Sequence, residues 1–349
     1  MAHLCSRLGT HALFVFLTLY PLSPVFAQEP FYKDKTIKIV VGFTPAGFYD
    51  RWARLLSRTM GKHIPGNPEI IVQNMAGAGS MIATNFVYSA AKPDGLTVVM
   101  PAYGIYLDQL VGRQEVAYDV RKFQWIGSPE KSDVILYVRA DSPYKSLGDM
   151  RTAASPPKCG STGTSGTDYI LSRLLEEILA IRIATVSGYP GGSEIDVAVE
   201  RGEVVCRGMS IAPHFGREPF DTWHKNGFDR HLVQSGLRRD PRAPEAPTMN
   251  EVFEKERTSE ESRRVADVIL RGGDFGRPMI APPGTPPERV KILRDAYAKV
   301  MKDPELLAEA KKGRMDMDPV SGEELQELAQ KIVDQPRPVI DRVKKILGN

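Results

Sequence analysis

The chain has 349 residues, 42% hydrophobic and 26% charged, which is long enough for a large core and more readily divided into two domains than kept as one. That balance excludes a disordered chain and a multi-span membrane protein. A formal net charge of +3 gives no reason to invoke nucleic acid or an acidic surface as a partner.

Residues 1–27 stand apart. Arg7 is their one charged side chain, "ALFVFLTLYPL" is an apolar run, and "VFA" places small residues correctly for cleavage after Ala27. This reads as a secretory signal peptide, too short and wrongly flanked for a membrane anchor. Cys5 precedes the apolar run, so the lipoprotein pattern is absent. Cleavage removes one of the 46 basic residues and none of the 43 acidic ones, so the mature chain is expected to be soluble, exported and nearly neutral. Cys159 and Cys206 then sit where disulfides are permitted, and either a bridge or two buried thiols fits.

After the leader, "TIKIVVGF" (36–43) predicts a buried strand, and Trp52, Leu55, Leu56 and Met60 predict a helix ended by Gly61. "PEIIVQN" (68–74) predicts a second strand, "SMIATNFVYSAA" (80–91) a helix, and "KPDG" turns the chain into strand "LTVVM" (96–100). A second cycle follows: "PPKCGSTGTSG" (156–166), a helix over 167–179, a strand in 181–192, a helix over 193–202 and strand "EVVCRGMSI" (203–211). Residues 236–253, rich in Arg and Pro, predict an irregular return connection. "PMIAPP" (278–283) and three helical stretches, over 286–303, "PELLAEAKKG" and "EELQELAQKIVDQ", complete the chain. Strands alternating with helices at this spacing predict parallel pairing with right-handed crossovers. The fold class is therefore α/β, with two facing lobes: residues 28–140 and 245–349 in the first, 141–244 in the second. The hinge is expected near 130–145 and 240–275.

Several motifs are excluded. "GAGS" (77–80) lacks the third glycine of a dinucleotide fingerprint, and "GSTGTSGTD" (160–168) lacks the lysine of a phosphate loop. His63, His214, His224 and His231 have no metal-ligand spacing, so surface or capping roles are expected and no metal or cofactor is assigned. Ser161 or Ser165 as a nucleophile lacks a base that the sequence nominates, which leaves a secreted serine hydrolase as a poor alternative and no enzyme as the expectation.

Two loops remain, "TPAGFYD" (44–50) and "GSTGTSGTD" (160–168), with "GYPGGS" (188–193) as a third of like character. Each joins a strand's C-terminal end to a helix N-terminus, where open α/β sheets bind ligands through free backbone N–H groups. Facing across a cleft, they suit a small anion bearing carboxylates. The alternative is ordinary strand–helix turns, with Asp50 and Asp168 as first-turn acids. Arg207, near the end of a second-lobe strand, either forks onto a carboxylate or is solvated or paired with an acid.

The stretch "IVVGFTPAGFYDRWARLLSRTMGKHIPGNPEIIVQNMAGAGS" resembles the opening of the Bug-type receptors of tripartite tricarboxylate transporters. "VSGYPGGSEIDVAVERGEVVCRG" and "RPMIAPPGTPPERVKILRDAYAKVMKDPELLAEAKKGRMDMDPVSGEEL" are similar to two further segments of that family, so the resemblance runs from about residue 33 to 340. It implies a two-lobed periplasmic-binding-protein fold of type II-like form with parallel or mixed sheets. It also implies a monomeric receptor that closes on a small carboxylate and delivers it to membrane permease subunits. Carried over, its ligand-holding positions are Thr44, Ala46, Gly47, Phe48, Tyr49, Ser161, Gly163, Ser165, Gly166 and Thr167, to which Tyr189 and Arg207 are added. Ala46 and Phe48 stand where that family usually has glycine, and Tyr49 replaces a small hydroxyl residue. Phe48 and Tyr49 then either offer aromatic faces to the ligand or pack between loop and helix. A ligand sensor or scavenger of the same fold is the alternative function.

Overall fold

The computed structural model describes residues 29–348, so the expected signal peptide at 1–27 lies outside the described residues. In chain order the strands are β1 (Thr36–Val41), β2 (Glu69–Asn74), β3 (Thr97–Met100), β4 (Gln124–Ser128), β5 (Val134–Arg139), β6 (Lys158–Ser161), β7 (Ala184–Ser187), β8 (Cys206–Ser210), β9 (Asp229–Gln234), β10 (Met279–Ala281) and β11 (Val320–Ser321). They form a six-stranded sheet, β11-β4-β10-β3-β1-β2, and a five-stranded sheet, β7-β6-β8-β5-β9. β1 pairs in parallel with β2 and β3, and β6 with β7 and β8. β10 and β11, which return late in the chain, make the antiparallel pairings of the first sheet, and β5, which enters from the opposite lobe, runs antiparallel to its neighbours β8 and β9 in the second. Both sheets are therefore mixed, and the parallel part of each is its βαβ core.

The run "VILYV" in β5 is buried throughout and needs a neighbour on both sides, which β8 and β9 supply. The chain thus enters the second sheet at Val134, ahead of the boundary expected at residue 140. It crosses between sheets twice, after Ser128 and again before Met279, and the two crossings touch. Ser132 N–H donates to the Gly273 carbonyl at 3.1 Å, and Arg277 N–H to Ser128 Oγ at 2.9 Å. Gly276 has φ +59°, and a Cβ there would fall 1.6 Å from the Glu130 carbonyl oxygen, so only glycine permits this approach.

Helix Phe48–Thr59 buries Trp52, Leu55 and Leu56 on one face against the first sheet. Helix Thr167–Leu179 has the bounds that its periodicity predicts and stops where Ala180 turns left-handed, at φ 50°. The return connection contains a capped helix, Met249–Lys255, that propensity alone did not reveal. The last helix, Arg337–Leu347, contacts helices Ile105–Val111, Thr167–Leu179 and Glu260–Leu270, so it bridges both lobes. One core cluster accordingly runs from Val40 and Val99 of the first sheet to Leu136, Cys159 and Cys206 of the second. Among the described residues, no helix is long and apolar enough to cross a membrane.

Candidate functional site

The first and second loops do meet across the cleft. Between them lies a cavity of about 70 Å³, walled by Phe43, Gly47, Phe48 and Tyr49 from one lobe and by Thr162, Gly166, Thr167, Asp168 and Gly192 from the other. Arg207, Arg217 and Arg277 complete the lining. Typical small-molecule sites measure roughly 300–1,000 Å³, so the cavity is tight in this closed arrangement. Closure is made by contacts across the gap. Thr44 Oγ1 donates to Glu194 Oε2 at 3.1 Å, the Ser165 hydroxyl donates to Asp108, and Arg51 Nη1 reaches the Gly216 carbonyl at 3.2 Å.

Of the residues expected to hold a ligand, Gly47, Phe48, Tyr49, Gly166, Thr167 and Arg207 line the cavity. Thr44 and Ser165 serve lobe-to-lobe contacts instead. Ala46 directs its N–H to Asp50, Ser161 gives its hydroxyl to Asp168, and Gly163 N–H donates to Ser161 Oγ. Tyr189 sits in a surface depression with Ser193, Glu194 and Arg201, away from the cavity. The physical reason is local competition. Asp168 Oδ1 collects Ser161 Oγ at 3.1 Å, Thr162 N–H at 3.0 Å and Tyr169 N–H at 3.0 Å, so the loop's own acid uses several of its donors.

Asp50 does the same for the first loop. Its Oδ2 accepts from Ala46 N–H at 2.9 Å and Arg54 Nε at 2.8 Å, and its Oδ1 accepts from Asn74 Nδ2 at 2.9 Å. Burial pushes this carboxyl up, but the bonds from Arg54, Ala46 and Asn74 outweigh it and hold the pKa below the ordinary range. This anchoring also fixes Ala46 at φ 68°, a left-handed conformation that costs a non-glycine residue about 1–2 kcal/mol.

The arginines set the electrostatics. Arg207 is buried, bonded to Asp196 Oδ1 at 2.6 Å and 3.8 Å from Asp168 Oδ2. Burial opposes its charge, yet Asp196 and Asp168 together raise its pKa. Asp168 in turn is raised by burial, against the pull of Arg207 and the loop donors. Arg217 shares Asp196 as a partner. Arg277, also buried, pairs with Glu130 and lies over the rings of Phe48 and Tyr49, at 4.6 and 5.1 Å from their centroids. Burial lifts the Tyr49 hydroxyl, and Arg277 partly counters it. The Nε atoms of all three arginines are buried and have no hydrogen-bond partner among the described residues. Phe48 and Tyr49 thus do both things the sequence left open: they pack, and they present ring area to the cavity.

Sequence reasoning missed Arg217 and Arg277. The available signal for Arg277 was a charged residue abutting a fully buried strand, β10. Among the described residues no histidine lines the cavity, and the hydroxyls of Ser161 and Ser165 are tied to carboxylates. Elsewhere His214, His224, Asp229 and His231 converge within 4.8 Å, where surface or capping roles were expected of these histidines.

Comparison with known proteins agrees with this fold. The family described as "Tripartite tricarboxylate transporter family receptor" (TctC) matches residues 53–345. A Cupriavidus necator protein, "UPF0065 protein in gbd 5'region", is 28% identical over 348 residues, covering 98% of this chain and 97% of its own. Among solved structures, the periplasmic binding protein BugD superposes with a TM-score of 0.71 at 20% identity, over 90% of this chain and 98% of that one. MatC from Rhodopseudomonas palustris, with bound malate, does so with a TM-score of 0.68 at 21% identity, over 90% and 99%.

Proposed function

The chain belongs to the tripartite tricarboxylate transporter receptor family, and from that premise we propose that it captures a small carboxylate between its lobes and delivers it to membrane permease subunits of such a transporter. Residues 1–27 act on this reading as a signal peptide cleaved after Ala27, which exports the receptor to the periplasm. The observation that carries the ligand class is the set of buried guanidinium N–H groups, from Arg207, Arg217 and Arg277, beside one cavity. A buried donor without an acceptor costs about 1–3 kcal/mol, more for a charged group, and a carboxylate supplies acceptors in the planar geometry that guanidinium matches. Asp196 pairs with both Arg207 and Arg217, and Glu130 pairs with Arg277, so much of the charge is balanced before the ligand arrives and recognition is by directed hydrogen bonds. Malate bound to MatC is the same chemical class. The walls here include Phe43, Phe48 and Tyr49, whose ring faces favour an acid with an aromatic or extended apolar body.

A thermal-shift screen of ligand-stripped mature protein against aliphatic dicarboxylates, tricarboxylates, aromatic acids and their amides tests this. Ligand at a hundredfold excess over its dissociation constant adds about 2.7 kcal/mol of stability. A shift with one acid class and none with its amide is expected. Stabilisation by neutral solutes alone, or by no acid, refutes the carboxylate reading.

A further inference from the structure

We propose that His214, His224, Asp229 and His231 form a closed tetrahedral site for a structural zinc ion, separate from the ligand cavity. Four ligand atoms from three elements point at one spot. His214 Nε2 lies 2.8 Å from His231 Nε2 and 3.2 Å from His224 Nε2. Asp229 Oδ2 lies 3.1, 3.1 and 3.4 Å from the Nε2 atoms of His214, His224 and His231. A tetrahedron with metal–ligand arms of about 2.0–2.1 Å has edges of about 3.3–3.4 Å. The five separations that involve His214 or Asp229 fall at and below that value, and all four atoms lie within 4.8 Å of one another.

Hydrogen bonding alone accounts poorly for this cluster. Each imidazole ring nitrogen either carries one proton or offers one lone pair, so three of them cannot all bond one another and one oxygen. Asp229 Oδ2 is in fact buried with no aligned donor among the described residues, although three ring nitrogens surround it. A cation at the centre satisfies all four atoms at once. The outer contact of His231 fits as well, while His214 Nδ1 is buried with no hydrogen-bond partner among the described residues. His231 Nδ1 bonds Glu245, the carboxylate–histidine arrangement that fixes a tautomer and turns the Nε2 lone pair toward a metal. His214 is wholly buried and stacks on Tyr137 at 5.1 Å between centroids, with Phe215 and Phe220 packed around it.

The donor set selects the ion. Three imidazoles and one carboxylate suit zinc, whereas magnesium and calcium prefer all-oxygen sites and copper(II) a tetragonal one. Four protein ligands leave no open position, so the role is structural rather than catalytic. The ion ties helices Ile211–Gly216 and Phe220–Asn226 to β9. The first of these helices carries Pro213, which lines the ligand cavity, and Gly216, whose carbonyl receives Arg51 across the cleft. Zinc thereby holds the second-lobe wall in place.

The test uses the mature protein without a histidine tag, stripped with 1,10-phenanthroline and titrated with Zn²⁺ or Co²⁺. One metal ion per chain and the intense visible absorption of tetrahedral Co²⁺ are expected. His224→Ala, at the most exposed ligand, should abolish that absorption. Glu245→Gln, at an exposed side chain, should weaken binding about 10- to 100-fold with an unchanged circular-dichroism spectrum. Absence of stoichiometric metal in the wild type overturns the proposal. So do unaltered Co²⁺ spectra and affinities in both variants.

Discussion

Asp50 and Asp168 both sit in the first turn of a helix, yet their environments push them in opposite directions. Asp50 gains three hydrogen bonds and its pKa falls, while Asp168 is buried deeply enough that its pKa rises despite Arg207. Linkage gives the consequence for Asp50. An unfolded carboxyl titrates near 3.9, and the folded value lies lower, so its stabilisation is complete above about pH 4 and is lost as pH falls through the folded value. Asp50→Asn should therefore cost about 1–2 kcal/mol at pH 7, discounted for the half-exposed Arg54, and progressively less below pH 4. Urea unfolding of both proteins from pH 7 to pH 3 measures this. A difference that stays constant with pH would show that Asp50 acts by packing and not by charge. Arg277 is a poorer position for such a comparison, because its removal strands the buried Glu130, and breaking a buried pair costs about 3–5 kcal/mol.

At the level of elements, β6 and β8 are joined covalently. Cys159 and Cys206 are register partners on these parallel neighbours, with Cα atoms 4.4 Å apart, and they form a disulfide. Of the two alternatives open in the sequence, the bridge is the one the sheet order selects. With a sequence separation of 47, the chain-entropy argument assigns it about 4 kcal/mol, at the top of the usual range. The double variant Cys159→Ala/Cys206→Ala should lose about 2–4 kcal/mol in urea unfolding, and reductant should then have no further effect. Wild-type unfolding that ignores reductant would contradict the expectation. The bridge strengthens the strand from which Arg207 projects, so it also steadies the second-lobe wall of the cavity.

For the whole molecule, the property of interest is closure. Gly104 has φ −72° and ψ −1°, ordinary for any residue, but a Cβ there would meet the Ser165 carbonyl oxygen at 2.3 Å and Ile170 Cδ1 at 2.5 Å. Gly104→Ala is thus a wedge between lobes that leaves the local backbone unstrained. Overpacking of this kind costs about 1–3 kcal/mol, borne by the closed state alone. Affinity for the acid found in the thermal screen should fall about tenfold or more. Small-angle scattering with ligand present should show a larger radius of gyration than the wild type. Equal affinity and equal radius would mean that the ligand-bound form is not the closed arrangement described here. The two crossings touch one another at Ser132–Gly273 and carry the Glu130–Arg277 pair to the cavity edge.

The sequence by itself determined the elements and their grammar: buried β1, the helices at 48–59 and 167–179, two cycles of strand and helix, and the loops that meet over the cavity. These follow from periodicity and turn chemistry, which are local. Which loop groups face the cavity was decided only by tertiary structure, because Ser161, Ser165 and the Ala46 N–H are each claimed by an acid whose position depends on folding. Arg277 reaches the site from residues far along the chain, and His214, His224 and His231 converge from two helices and an edge strand with no ligand spacing to announce them. Such groups become neighbours through sheet order and chain crossing, and neither is written in any short stretch of sequence.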